Sequence, residues 1–334
     1  MATATTVHQV RRPSGLPTPE DFAFVRGPLP EVTTGTALVE NLHLSVDPYM
    51  REAMDYDGWG GGNDLDTPLE GRSIGRVIAS RTPGLADGDL VFHRKAWRTH
   101  ALVTPEEATV LPGWAGVPIR TRLSLLGGTG LSAYVGLTRI ARLQPGEDVF
   151  ISAAAGGVGT AAGQIARLLG ARRVIGSAGS AAKVRHLVDD LGFDAAFDYH
   201  DGPVGAQLAK AAPEGVDVFF DNVGGDHLEG AIENLRTHGR VAWCGAVAQY
   251  NDLGNPPPAP RNLYDVVSKS IRLEGFLVRE YNHLQGELED LLVPHLRSGA
   301  LKPDETVVEG IDNVVAAFIG MLRGENLGKM IVSL

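Results

Sequence analysis

The stretch DVFISAAAGGVGTAAGQIARLLG, residues 148–170, decides the fold. It predicts a buried apolar strand, then a glycine-rich turn, then an amphipathic helix. On the dinucleotide-binding fingerprint the three glycine positions fall on Ala154, Gly156 and Gly159, so alanine replaces the first glycine. Gly156 allows the backbone to approach a pyrophosphate, and Gly159 allows the helix to pack closely on the strand. Because the N-terminus of a helix binds anions, the stretch predicts a dinucleotide site, and a glycine-rich surface turn is the alternative.

Strands and helices alternate on both sides of this stretch. Further strands are predicted at RRVIGSAG (172–179), AAFDY (195–199), GVDVFFDNVG (215–224), GRVAWCGAV (239–247) and IRLEGFLV (271–278), and GVDVFFDNVG has the continuous apolar run of a buried strand. Helical spacing is found in 124–143, 181–192 and 287–301, and the tail predicts a last helix and strand. This alternation predicts an α/β fold with a doubly wound parallel sheet.

The first 120 residues have a different pattern. TALVENLHLSV (36–46) and SIGRVIAS (73–80) alternate between apolar and polar residues, and 89–103 contains two further short strands. Breakers such as PSGLPTPED and LPGWAG separate them. These features predict a small antiparallel β domain.

The stretch VIGSAGSAAK, residues 174–183, indicates which dinucleotide is bound. Its strand ends at Gly176, about 20 residues past the glycines, where an NAD-binding protein has an acid for the adenosine ribose. Small residues from Ser177 to Ser180 occupy that place here, and Lys183 and Arg185 follow. Space and positive charge suit a 2′-phosphate, so the stretch favours NADP(H). The alternative is that both cations are solvated helix residues.

Composition limits the other classes of function. The chain has 334 residues, suited to two domains, and a net charge of −10 that argues against nucleic-acid binding. No apolar run reaches the length of a membrane span, and the N-terminus has no apolar signal-peptide core. A single cysteine, Cys244, excludes an internal disulfide and a zinc site of several thiolates. A cytoplasmic enzyme is expected.

Seven motifs carry a family resemblance. They are SVDPYMR (45–51), GTGLSAYVGL (128–137), SAAAGGVGT (152–160), FDNVGG (220–225), CGAVAQYN (244–251), GFLV (275–278) and GENLGKMIV (324–332). The chain resembles the zinc-independent medium-chain dehydrogenases/reductases, in the branch of leukotriene B4 dehydrogenase/prostaglandin reductase, alkenal double-bond reductases and curcumin reductase. The resemblance implies a GroES-like substrate domain (1–122 and 299–334) around a Rossmann domain (123–298). It also implies a homodimer formed by edge pairing through strand 271–278.

The resemblance further implies NADPH-dependent reduction of a carbon–carbon double bond conjugated to a carbonyl, in small apolar enones and enals. The implied pyrophosphate contacts are Gly156, Gly157, Val158 and Gly159. The implied 2′-phosphate contacts are Lys183 and Tyr199, and Ser177 is a further candidate cofactor contact. The implied nicotinamide contacts are Asn222, Cys244, Gly245, Ala246, Tyr250, Phe276, Leu277, Val278 and Asn326.

Metal catalysis is not expected. Zinc-dependent relatives carry a GHE stretch, and the matching segment here has Gly71 and Arg72 in place of His and Glu. Arginine does not ligate zinc. His43, His93 and His100 are scattered over predicted strands, where polar structural roles are expected.

Tyrosines are the candidate proton donors, because a phenol is a neutral hydrogen-bond donor that can release a proton. Tyr250 follows a buried strand and is the first candidate, with cofactor packing as its rival role. Tyr264, after a proline-rich loop, is the second candidate or an aromatic anchor. Substrate-pocket candidates are Tyr49, Arg51, Tyr56 and Trp59, the first two of which also suit a structural role. Cys244 is expected to be a buried small residue.

Two alternative functions remain open at this point. The same hydride machinery would serve a quinone reductase. A protein of another class would bind NADP without turnover, in a regulatory or structural role.

Overall fold

The computed structural model describes residues 3–55, 62–251 and 254–334. The chain divides into two compact units. The first comprises Met1–Leu123, Glu305–Asn326 and Met330–Leu334, and the second comprises Ser124–Asp304 and Leu327–Lys329.

The helices and strands are as follows, in chain order. The strands are β1 (Thr3–Gln9), β2 (Phe22–Pro28), β3 (Ala37–Ser45), β4 (Thr67–Pro68), β5 (Ser73–Ser80), β6 (Leu90–His93), β7 (His100–Val103), β8 (Thr109–Val110), β9 (Asp148–Ile151), β10 (Arg173–Ala178), β11 (Ala195–Asp198), β12 (Val216–Asp221), β13 (Leu235–Trp243), β14 (Arg272–Gly275), β15 (Glu305–Glu309) and β16 (Lys329–Ser333). The α-helices are α1 (Tyr49–Ala53), α2 (Gly128–Val135), α3 (Gly157–Leu168), α4 (Ala181–Arg185), α5 (Val204–Ala211), α6 (Gly225–Asn234), α7 (Tyr264–Ser268), α8 (Gln285–Ser298) and α9 (Val314–Leu322).

The second unit contains a six-stranded sheet in the order β11-β10-β9-β12-β13-β14. Every neighbouring pair in it is parallel. The chain starts in the middle at β9, proceeds outward through β10 and β11, and then returns to β12 on the other side. The carboxyl ends of β9 and β12 therefore flank the point where the strand order reverses, which is the position of the ligand crevice in doubly wound folds.

Helices cover both faces of this sheet. Ile175 of β10 packs in a core with Val204 of α5 and Leu228 of α6. A Cβ added to the next residue, Gly176, would meet Leu187, which follows α4, so the opposite face carries the other helices. The predicted doubly wound parallel sheet is thereby confirmed.

The first unit is built from antiparallel strands. A seven-stranded sheet has the order β15-β16-β3-β5-β6-β8, with β7 also paired to β3, and a three-stranded sheet has the order β2-β1-β4. Its main core joins the two parts of the chain, since Phe318 of α9 makes edge contacts with Phe22 and Trp97. The Phe22 and Trp97 rings stack with centroids 5.3 Å apart.

Several elements differ from those predicted. The helix expected over 124–143 is α2 followed by a π-helical turn at Gly136–Ile140, and a second such turn follows α4. Helices α5 and α6 were not among the predicted elements. Strand β14 ends at Gly275, so Phe276–Val278 lie beyond its carboxyl end. None of the helices in the described part of the chain is long and apolar enough to cross a membrane.

Candidate functional site

The dinucleotide loop joins β9 to α3. Gly156 is the N-cap of α3 in extended conformation, and the turn before it is formed by Ala153 at φ 46°. A Cβ on Gly159 would overlap the carbonyl oxygen of Ala153 and the backbone of Ala154. Glycine is therefore required at 159 for the close contact between helix and strand. The amides of Gly157, Val158 and Gly159 have no partners within the helix, so they are available to bind phosphate.

The alanine at the first fingerprint position is accommodated by a glycine on the neighbouring strand. Ala154 is buried, and its amide donates to the carbonyl oxygen of Ser177 at 2.8 Å. A Cβ added to Gly176 would lie 2.7 Å from the Cβ of Ala154. The methyl group of Ala154 thus occupies the space left by the absent side chain of Gly176, so alanine fits at this position of the loop.

A segment from the end of the chain crosses this loop. The amide of Gly328 donates to the carbonyl oxygen of Ala155 at 2.9 Å, and Gly156 and Gly328 form a bridge. The side chain of Lys329 lies beside Gly157, at the first turn of α3. Asn326 precedes this segment in the chain and is buried in the first unit.

The end of β10 has the composition suited to a 2′-phosphate. Ser180 caps α4 by accepting from the amide of Lys183 at 3.3 Å. The Tyr199 ring lies over Gly179, where an added Cβ would be 3.0 Å from its hydroxyl oxygen. Burial lowers the pKa of Lys183, while Arg185 is exposed. The structure therefore brings Lys183 and Tyr199 to the same strand end, and Ser177 is fully buried there.

Tyr199 has a histidine neighbour that was not predicted. The rings of Tyr199 and His227 meet edge to face with centroids 5.2 Å apart. His227 is buried, its Nε2 has no hydrogen-bond partner among the described residues, and burial lowers its pKa to about 4. The imidazole of His227 is therefore neutral near pH 7 and packs against the Tyr199 ring.

The ends of β9 and β12 are joined by side-chain hydrogen bonds. The Asp221 carboxylate accepts from the Ser152 hydroxyl at 2.9 Å and from the amides of Val223 and Gly224. The Ser152 hydroxyl accepts from the Asn222 amide, and the Asn222 side chain donates to the Ser152 carbonyl oxygen, both at 2.8 Å. Burial raises the pKa of Asp221 to about 6. Asn222 is therefore held on both sides at the point where the strand order reverses.

The loop after β13 folds against the same strand end. The amides of Cys244 and Gly245 donate to the carbonyl oxygen of Asp221, and the Val247 amide donates to that of Asn222. The Tyr250 hydroxyl accepts from the Ala246 amide at 3.2 Å, so the phenol lies over its own loop. Cys244 is half-buried rather than buried as expected, and the desolvation of its thiol raises the pKa to about 12, so the thiol is protonated at neutral pH.

Phe276–Val278 leave the end of β14 on the same edge of the sheet. The Phe276 ring lies close to Gly136, where an added Cβ would be 3.1 Å away, and it meets Tyr281 edge to face. Leu277 is exposed. The predicted cofactor residues of the second unit thus follow strand ends of one sheet edge.

The other catalytic candidate is placed differently. Tyr264 is the first residue of α7, and its side chain is 77% exposed. The neighbouring Arg261 pairs with Glu229 at 2.7 Å, which attaches this segment to the side of α6. Tyr264 thus projects outward within its own unit, whereas Tyr250 lies in a strand-end loop.

The substrate-pocket candidates belong to the first unit. Tyr49 begins α1 and packs against the main core, where burial raises its pKa. Arg51 is 2% exposed, and its guanidinium donates to the Gly15 carbonyl oxygen and to Asp55. A structural role fits Arg51 best. Tyr56 and Trp59 lie outside the described residues.

The three histidines considered as metal ligands have protein partners. His93 bonds Asn41 at 2.8 Å, His43 bonds Ser333, and His100 bonds Thr99. Over residues 3–55, 62–251 and 254–334, His, Cys, Asp and Glu side chains form no group of three or more that could hold a metal ion.

Comparison with known proteins agrees with this architecture. Residues 6–111 match a family model described as the N-terminal domain of oxidoreductase, and residues 157–293 match one described as zinc-binding dehydrogenase. The chain is 40% identical to prostaglandin reductase 1 of Mus musculus over 95% of each chain. It is 35% identical to an NADP(+)-dependent 2-alkenal reductase of Nicotiana tabacum, over 88% of this chain and 86% of the relative. Among solved structures, CurA of Vibrio vulnificus in complex with NADPH matches with a TM-score of 0.92 and 32% identity over 98% of each chain.

Proposed function

Because the chain belongs to the zinc-independent medium-chain dehydrogenases/reductases, in the branch of prostaglandin, 2-alkenal and curcumin reductases, we propose that it reduces conjugated carbon–carbon double bonds with NADPH. The chain is an NADP-dependent oxidoreductase. Its substrates are α,β-unsaturated aldehydes and ketones, of small or medium size and apolar character.

One observation carries the cofactor assignment. At the end of β10, small residues stand where an NAD-binding protein has an acidic side chain, and Lys183 and Tyr199 lie at the same strand end. The three amides of Gly157, Val158 and Gly159, at the start of the neighbouring α3, supply the phosphate site that any dinucleotide needs. This combination suits a dinucleotide with a 2′-phosphate.

When bound, NADPH supplies the hydride that adds to the β carbon of the substrate. Negative charge then develops on the carbonyl oxygen, so a hydrogen-bond donor must face it. Asn222, fixed by Ser152, is proposed to orient the nicotinamide, and the loop Cys244–Tyr250 to line its other side. Neither task requires a metal ion.

Tyr250 is proposed as the donor to the substrate oxygen or the α carbon. Its place in the loop after β13 supports this role over Tyr264, which is exposed in its own unit. The Tyr250 hydroxyl oxygen accepts from the Ala246 amide, and a phenol can also donate its own proton.

The test is NADPH consumption against a panel of enals, enones and quinones. Reduction of enals and enones, with identification of the saturated carbonyl product, is expected. Preferential reduction of quinones would favour quinone reductase activity instead. NADPH binding without oxidation across the whole panel would indicate a non-catalytic protein.

Tyr250→Phe tests the proton donor. Loss of the phenol should lower kcat about 100-fold while NADPH affinity stays the same, because general acid catalysis contributes about that factor. Tyr264→Phe is the matched control and should keep near-normal kcat. Unchanged turnover in Tyr250→Phe would remove this residue from the mechanism.

We also propose that the protein is a cytoplasmic homodimer. Strand β14 is the edge of the six-stranded sheet, and the preceding helix exposes Val267 to 70%. An edge strand flanked by exposed apolar side chains suits pairing with a second copy. A single cysteine in 334 residues suits a reducing compartment.

A further inference from the structure

The crevice between β9 and β12 contains a buried charge that the proposed chemistry does not use. Asp221 is 0% exposed, and within the described part of the chain its carboxylate accepts only from neutral donors, namely one hydroxyl and two amides. Burial of a carboxylate is costly unless the bonds that it accepts compensate. A charge kept at such a place indicates a function for it.

We propose that Asp221 is a positioning residue, whose carboxylate joins the loops after β9 and β12 and thereby fixes Asn222 toward the nicotinamide half of the cofactor. This inference rests on the proposed function. Asp221 itself touches neither cofactor nor substrate, because it has no accessible surface.

The positioning passes through one hydroxyl group. Ser152 Oγ donates its proton to Asp221 at 2.9 Å, so its lone pairs are left to accept from the Asn222 amide at 2.8 Å. The Asn222 side-chain NH₂ group donates to the Ser152 carbonyl oxygen. The side-chain oxygen of Asn222 therefore points away from Ser152. The carboxylate thus determines the direction of the hydroxyl, the hydroxyl holds the backbone amide of Asn222, and the Ser152 carbonyl oxygen holds the Asn222 side chain.

The same residue organises two further backbone segments. The carboxylate caps the amides of Val223 and Gly224, and Gly224 has φ 75°. Its backbone carbonyl accepts from Cys244 and Gly245, at the start of the loop after β13. In the carboxylate, Oδ1 accepts from all three donors, and Oδ2 accepts from the Gly224 amide at 3.2 Å. In either orientation, the NH₂ group of an asparagine at 221 would therefore face the Gly224 amide, donor against donor.

The experiment compares two ligands by isothermal titration calorimetry. NADPH occupies both halves of the cofactor site, whereas 2′,5′-ADP occupies only the adenosine half. Asp221→Asn should weaken NADPH binding about tenfold, the equivalent of roughly one hydrogen bond, and leave 2′,5′-ADP binding unchanged. Equal weakening of both ligands would show a merely structural aspartate and overturn the proposal.

Asp198→Asn is the matched control. Asp198 also ends a strand, β11, and its carboxylate also caps the following turn by accepting from the His200 amide at 3.0 Å. The ratio of the two affinities should stay at its wild-type value in this variant. Selective loss of NADPH in Asp198→Asn as well would remove the specific role of Asp221.

A double-mutant cycle with Asn222→Ala tests the route. If Asp221 acts through Asn222, Asp221→Asn should have no further effect on NADPH affinity once Asn222 is alanine. Full additivity of the two losses would overturn the proposal.

Should Asp221→Asn not fold, Ser152→Ala breaks the same route and is expected to give the same selective loss of NADPH. Both readouts are binding measurements, so they decide the proposal even if no enone is turned over.

Discussion

At the residue scale, cofactor choice depends on the side chains at the end of β10. Lys183 is partly buried beside the loop on which Tyr199 packs, and Arg185 lies two residues further on an exposed part of α4. Lys183→Ala should weaken NADPH at least about tenfold and NADH less than about twofold, because only NADPH carries the 2′-phosphate. Fluorescence titration with each cofactor measures both values.

Arg185→Ala is the control for this prediction, since it removes one charge from the same helix. The ratio of NADPH to NADH affinity should stay unchanged in it. Equal losses of both cofactors in Lys183→Ala would assign that lysine to the fold alone.

His227 gives a pH-dependent prediction. Its folded pKa of about 4 lies below the ordinary value of 6.5, so the unfolded chain binds the proton first. Stability is therefore lost as the pH falls from about 6.5 toward 4. His227→Phe removes this effect and should retain about 2 kcal/mol more stability than wild type at pH 5, with little difference at pH 7.5.

Urea unfolding of both proteins at the two pH values measures this difference. Asp221 titrates near the same range with the opposite sign, but it is present in both proteins and its contribution cancels. Parallel loss of stability in wild type and variant between pH 7.5 and 5 would contradict the assigned pKa.

At the scale of elements, the contact between β10 and the dinucleotide loop is tightly packed. Gly176→Ala would place a Cβ 2.7 Å from that of Ala154 and 3.1 Å from Leu187 and Phe193. We expect a loss of about 1–3 kcal/mol of stability, as is usual for overpacking. Adding Ala154→Gly should restore part of it, because the closest contact is then gone.

Chemical denaturation of the four proteins of this cycle measures the coupling. Independent, additive effects of the two substitutions would show that the glycine and the alanine do not compensate each other.

Element type was largely predictable where one physical rule dominated. All six parallel strands were predicted, and the rule is clearest for the central strands β9 and β12, because a sheet covered on both faces leaves no polar alternation. Helices α5 and α6 each begin beside glycine or proline, which weakens the helical signal in their sequences. They form because the sheet face that carries Ile175 must be buried, and local propensity does not contain that information. The two π-helical turns depend on packing, which periodicity does not encode.

The candidate site was predicted in part, for a related reason. Residues in motifs with a backbone requirement, such as Gly159, were identified from spacing. Ser152, Gly176 and His227 were missed because their roles arise from neighbours on other strands. The exposure of Tyr264 likewise depends on how α7 packs.

At the scale of the whole molecule, the edge strand β14 gives the prediction on assembly. Wild type should sediment at twice the monomer mass at micromolar concentration. Val267→Glu, on the exposed face of α7, should shift it toward monomer if that helix flanks the paired edges. Val188→Glu, at another exposed valine of the same unit, is the control and should stay dimeric. A monomeric wild type would contradict the proposed dimer.

The composition of the first unit has a consequence for protein synthesis. Its main core needs Phe22 and Trp97, made early, and Phe318, made more than 200 residues later, after all of the second unit except Leu327–Lys329. During synthesis on the ribosome, Phe22 and Trp97 therefore remain exposed to solvent until α9 has been made. The second unit can already fold in that interval, apart from Leu327–Lys329. Translational pausing before residue 314 would prolong that exposure, so nascent chains of this protein should bind holdase chaperones during that interval and be released once α9 emerges.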